Sequence, residues 1–125
     1  MMMIESPFRS SNHIDAAIDV MRVFSTDLVV AVRPDHDNFY RHDGYGLSPL
    51  RKGALLTLET EDLFRECGQL RILNVGHLLR PEREKPPRIG HVTLDQMAAF
   101  VINSEWDWNL AGLIAERAIL KETSA

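Results

Sequence analysis

Ile14-Asp15-Ala16-Ala17-Ile18-Asp19-Val20-Met21-Arg22-Val23-Phe24-Ser25, followed after Thr26-Asp27 by Leu28-Val29-Val30-Ala31-Val32, sets the fold class. In the first segment Ile14, Ala17, Ile18, Met21 and Phe24 recur at helical spacing, which predicts a helix from about Ile14 to Ser25. Asn12 is the expected N-cap, and Asp15 and Asp19 put negative charge toward the positive end. Ala16, Val20 and Val23 widen the apolar stripe beyond what one core surface requires, so part of this helix is expected to face a second protein. The second segment is a β-branched apolar run that ends at Arg33-Pro34, and it reads as a buried strand.

Working outward, Asp35 to Pro49 is rich in Asp, His, Gly and Tyr and reads as a polar loop, with Ser48-Pro49 suited to open a helical turn. A strand is expected at Ala54–Leu58, then a short helix over Glu61–Cys67 capped by Thr60 and closed by Gly68; one continuous helix is the alternative. Arg71-Ile72-Leu73-Asn74-Val75 reads as a strand ending near Gly76. The three prolines at 81, 86 and 87 make Pro81–Arg88 an extended connector. Thr93 and Gln96 have capping-box spacing ahead of Leu94, Met97, Ala98 and Val101, predicting a helix there. Ser104 and Asp107 are spaced like a second cap before a last helix from Glu105 to about Lys121. Together these elements predict an α+β fold, a small antiparallel or mixed sheet covered by the N-terminal helix and two C-terminal helices. One globular domain over residues 1–125 is expected, with 1–11 as a flexible N-terminal segment.

The bulk properties narrow the function. A chain of 125 residues, 45% hydrophobic and 26% charged, can bury one core without staples. Cys67 is the single cysteine, so no internal disulfide can form, which suits a reducing compartment. The N-terminal residues lack the apolar stretch and cleavage site of a signal peptide, and no run approaches the ~20 apolar residues of a membrane span. A cytoplasmic location is expected, with no membrane partner. The formal net charge is −4, and the most basic stretch, Leu79–Arg88, also carries Glu82 and Glu84. Direct nucleic-acid binding is not expected from that balance.

Chemistry-bearing residues gather in Asp35-His36-Asp37-Asn38-Phe39-Tyr40-Arg41-His42-Asp43. The ligand types suit a divalent metal, and a metal-dependent hydrolase using this loop is one reading. The spacing matches no metal motif, and turn chemistry accounts for the Asp, Asn and Gly content, so no metal, catalytic or cofactor residue is assigned. Gly44-Tyr45-Gly46 is neither a Walker loop nor a dinucleotide fingerprint. Cys67, beside Glu66, reads as a structural thiol.

The last helix carries a different signal. Trp106, Leu110, Leu113 and Leu120 fall on one face, while Trp108, Ala111, Gly112, Ala115 and Ile119 fall on another, because positions 106 and 108 lie about 200° apart. One core surface cannot hold both tryptophans, and Gly112 permits close approach of another helix. Either the helix is buried from two sides or one face is an interface anchored by a Trp. Expected partner-binding residues are Ile14, Ala17, Val20, Met21 and Phe24 on the first helix and Trp108, Gly112 and Ala115 on the last.

From these features a small non-enzymatic protein that works by binding another protein is expected, itself a homodimer. A phage- or plasmid-borne inhibitor or immunity protein would show the same signature. In its opening amphipathic helix (His13-Ile14-Asp15-Ala16-Ala17-Ile18-Asp19-Val20-Met21), its size and its general composition, the chain resembles the small bacterial antiactivators of LuxR-type quorum-sensing receptors. That resemblance implies a transcription factor as partner, blocked in its dimerisation or DNA binding. The apolar face of the first helix would then cover the partner's dimer interface. No individual site residue is carried over.

Overall fold

A computed structural model describes residues 2–50, 63–79 and 86–123. In chain order the elements are α1 (Ser11–Phe24), β1 (Leu28–Asp35), β2 (Tyr40–His42), β3 (Leu47–Pro49), β4 (Leu63–Leu73), α2 (Val75–Leu78), β5 (Ile89–Thr93) and α3 (Glu105–Thr123). The fold is α+β. β1 is the centre of a three-stranded sheet in the order β4-β1-β5, which is why its sequence is apolar without alternation. β1 and β5 run parallel in a register from Leu28 opposite Ile89 to Val32 opposite Thr93. The chain divides into two compact units, 1–33 with 66–125, and 34–65.

The core of the larger unit is Ala17 of α1, Val29 and Ala31 of β1, Leu70 of β4, Val92 of β5, and Leu94 and Ala98 beyond it. α1 lies on β5. Gly90 makes this possible, since a Cβ there would sit 2.9 Å from Val20 Cγ1 and 3.1 Å from Thr26 Cγ2. The N-cap of α1 is Ser10, two residues before the expected Asn12. His13 Nδ1 accepts the Ser10 backbone N–H at 3.0 Å, an unusual version of the capping-box return bond.

The N-terminal segment, expected to be flexible, is tied to the body. Met2 bridges Leu70, Ser6 is buried, and the Glu5 carbonyl accepts the Ile102 N–H at 2.8 Å. The Arg9 guanidinium donates to the carbonyls of Gly68 (2.8 Å), Gln69 (2.9 Å) and Met3. Those first two carbonyls belong to a kink in β4, where Gly68 and Gln69 both take left-handed backbone angles, φ 64° and 48°. Arg9 thus supplies charge-assisted donors at the kinked strand.

Other local expectations are revised. Leu63–Cys67 is strand, not helix, because β4 takes its place in the sheet and buries Leu70. Gly68 uses its left-handed angle inside that strand instead of closing a helix. β4 stops at Leu73, and Val75 opens the short α2 with Asn74 as N-cap, its side chain accepting the Gly76 N–H. β1 continues through Pro34 to Asp35. Ser48-Pro49 belongs to β3, which pairs antiparallel with β2.

Thr93 starts no helix, because it ends β5 opposite Val32. Asp95 instead caps a single turn, its carboxylate accepting the Ala98 N–H at 2.8 Å and its carbonyl the Ala99 N–H at 3.0 Å. One long C-terminal helix therefore stands where two were expected. The strand expected at Ala54–Leu58, the cap at Thr60 and the first residues of the Pro81–Arg88 connector lie outside the described residues.

Candidate functional site

α3 begins with a tight cap. Ser104 Oγ donates to Asp107 Oδ2 at 2.8 Å and accepts the Asp107 N–H at 3.1 Å, while the Asn103 N–H donates to the same carboxylate oxygen at 3.0 Å. The Ser104 hydroxyl first, and the Asn103 N–H second, hold the Asp107 carboxyl below the usual carboxylate range. This cap closes the first turn of the helix.

Among the described side chains of the helix Ala111 is the buried one, flanked by half-buried Asp107, Leu110, Ile114 and Ala115. The two tryptophans lie on either side of that stripe and are mostly exposed, Trp106 at 70% and Trp108 at 67%. Leu113 is exposed beside Trp106. Trp108, Ala111, Gly112 and Ala115 form one wall of an apolar groove of about 280 Å³, completed by Pro7, Phe8 and Ile102. Phe8 is held by Phe100, with ring centroids 6.0 Å apart, and Ile102 by its bond to Glu5. A Cβ on Gly112 would meet nothing within 4 Å, so no contact in the described structure requires that glycine.

The structure separates the residues expected to bind a partner. Ala17 is 1% exposed and belongs to the core, and Ile14, Val20 and Met21 pack against it. These three are half-buried, with their packed sides turned to the core. Phe24, 59% exposed at the end of α1, remains available with Val23. Trp108, Gly112 and Ala115 come together in the groove. Sequence reasoning misses Pro7 and Phe8 because residues 1–11 are expected to be flexible, and Ile102 because its place depends on its bond to Glu5 in that segment. A Pro-Phe pair ahead of Arg9 in an otherwise polar stretch was the available sign.

The Asp/His segment is arranged differently. Asp35 is buried, accepts the Asp37 N–H at 2.9 Å and lies 3.6 Å from Arg65 Nε. His36, Asp37, His42 and Asp43 are exposed. Asp43 accepts the N–H groups of Tyr45 (2.9 Å) and Gly46 (3.0 Å), which hold its carboxyl below the usual range. It thereby shapes the β2–β3 turn, whose tip is Tyr45. Among the described residues no three His, Cys, Asp or Glu side chains converge in a metal-binding group. A second cavity of about 350 Å³ is lined by Glu66, Cys67, Gly68, Gln69, Val101 and Asn103. Its carboxylate is engaged by Arg71 through bonds of 2.5 and 2.8 Å, which raise the arginine's already high pKa. No helix among the described residues is long and apolar enough to cross a membrane.

No family model matches the sequence, and no curated protein matches it.

Proposed function

We propose that this protein is a small non-enzymatic regulator that binds and inhibits another protein through the outward side of α3. One observation carries the reading: two tryptophans stand largely exposed on a single capped helix, and one of them walls an apolar groove. Isolated surface apolar residues are ordinary, but Trp beside a concave apolar surface is the composition of an interface anchor. The resemblance of the N-terminal helix to quorum-sensing antiactivators names the target class, a LuxR-type transcription factor.

The test is a reporter strain in which a LuxR-type receptor drives transcription. Expressing the wild-type chain should lower output, Trp108→Ala should restore it, and the double variant His36→Ala/His42→Ala should inhibit like wild type. An unchanged reporter with well-expressed wild-type protein removes that target class. Inhibition lost with the His variants and kept with Trp108→Ala places the activity in the Asp35–Asp43 segment instead.

A further inference from the structure

We propose that the groove beside α3 receives a basic amphipathic helix, which seats an apolar anchor in the groove and sets lysines or arginines against its rim. This inference rests on the reading of the groove as a protein-binding surface and adds the chemistry of the partner. The volume comes first. At about 280 Å³ the groove falls just below the ~300–1,000 Å³ usual for enclosed small-molecule sites, and its lining is apolar throughout. It fits the anchor of a larger ligand, in the manner of a helix laid along a hydrophobic groove.

Charge selects the ligand. Glu105 precedes Trp108 by three residues and Glu116 follows Gly112 by four, so each neighbours the groove along the surface of α3. Glu5 lies at the opposite wall, where its carbonyl holds Ile102. All three side chains are exposed, and none is in an ion pair among the described residues. The cations of α3 sit elsewhere on the helix: Arg117 projects about 140° away from Gly112, and Lys121 about 180°. Arg9, next to Phe8, keeps its positive charge while its N–H groups are directed to the carbonyls of Met3, Gly68 and Gln69, and the three carboxylates outnumber it. The groove is therefore apolar at its floor and acidic at its edge. Phosphate-bearing partners and anionic lipid surfaces are repelled by that edge. A second copy of the chain is disfavoured too, because an isologous contact would set the acidic rim against itself. A partner helix with basic residues one turn either side of its anchor gains at every position.

The experiment uses the full chain carrying Trp106→Phe, which leaves Trp108 as its one tryptophan, since the sequence has two. The probes are twin synthetic amphipathic helices with the same Leu/Phe anchor, one flanked by lysines and one by glutamates. The lysine peptide should shift Trp108 emission and bind more weakly as salt rises, while the glutamate peptide should not bind. Glu105→Gln/Glu116→Gln should weaken the lysine peptide about tenfold at low salt and narrow the gap between the twins. Gly112→Leu, which fills the groove, should abolish binding while far-ultraviolet circular dichroism is retained.

Equal binding of the twins, or lysine-peptide affinity unmoved by the glutamine variants, overturns the basic partner; those variants decide the matter even if Gly112→Leu misfolds. A dimer by light scattering that Glu105→Gln/Glu116→Gln strengthens and Trp108→Ala dissolves also overturns it, by giving the groove to a second copy. In the reporter strain, inhibition lost with Trp108→Ala but kept with the glutamine variants removes only the basic partner. No inhibition by wild type, with the twins still discriminated in vitro, removes only the transcription-factor target.

Discussion

α1 and α3 look alike in sequence, each with apolar residues around most of its circumference, yet only α1 finds a surface to bury them. Ala17 is fully buried, with Ile14, Val20 and Met21 packed around it, and the large exposed apolar side chains of α1 sit at its C-terminal end, Val23 and Phe24. α3 buries one narrow stripe around Ala111 and leaves Trp106, Trp108 and Leu113 exposed. The neighbour makes the difference. β5 offers α1 a glycine where Val20 leaves no room for a Cβ. α3 meets Pro7, Phe8 and Ile102 across an open groove. A wide apolar stripe thus measures how much surface a helix has to bury, not which molecule buries it.

The largest test of this contrast is a charge placed on each helix. Ala17→Glu puts a carboxylate with no partner into the core, and the desolvation of that charge should cost roughly 3–5 kcal/mol. With a total stability of about 5–15 kcal/mol for a domain, thermal melting by circular dichroism should show a large loss or no folded protein. The same change at Trp106, on the exposed side of α3, should stay within about 0.5 kcal/mol. Equal losses at the two positions would mean that the helices are buried alike, and the comparison would collapse.

Gly90→Val comes next. The new side chain would be driven into Val20 and Thr26, and overpacking of this kind costs about 1–3 kcal/mol. Denaturant titration should show a lower midpoint with an unchanged slope. A midpoint like that of wild type would show that α1 does not approach β5 closely, and the account of why α1 is the buried helix would fail.

How much of this was legible in the sequence follows from the range of the forces involved. α1, the start of β1, the α3 cap and the α+β class rest on periodicity and capping, which are local. Ser104 and Asp107 could be paired from spacing alone, although Asp is shorter than the usual Glu or Gln. Thr93 and Gln96 had the better capping-box spacing and failed, because Thr93 is claimed by the parallel pairing with Val32, a contact between residues far apart in the chain. Gly68 is expected to close a helix, and it instead takes its left-handed angle inside β4, where the strand kinks. For the site, Trp108, Gly112 and Ala115 were legible as a helix face. The opposite wall was not, because its position depends on Arg9 reaching the kinked carbonyls of β4.

The capped start of α3 gives a smaller and pH-dependent test. Ser104→Ala removes the N-cap hydroxyl and should cost about 1 kcal/mol. The same substitution also releases Asp107, whose carboxyl is held low mainly by that hydroxyl. A carboxyl with a folded-state pKa below its unfolded value stabilises the fold above the unfolded value, and that contribution disappears as pH falls through the folded one. Wild type should therefore lose stability relative to Ser104→Ala as the solution is acidified below the ordinary carboxylate range. Parallel pH–stability curves for the two proteins would show that the cap does not hold Asp107.

Gly112→Ala should produce the smallest effect and, against the usual trend for a substitution, a favourable one. Glycine inside a helix costs about 0.5–1 kcal/mol relative to alanine, through the backbone freedom it loses on folding. Gly90 repays its cost by admitting α1, and a methyl group there would clash. Gly112 has no such return in the described structure: it takes no left-handed angle, and an added Cβ would meet nothing within 4 Å. Alanine should raise the melting temperature by a few degrees with no change in fold. The same methyl group projects into the groove and should weaken the lysine-flanked peptide, so stability and binding should move in opposite directions. A gain in stability without loss of binding would leave the glycine unexplained by the interface. Lower stability would show that Gly112 is packed in the free protein, and α3 would then be buried from both sides as α1 is from one.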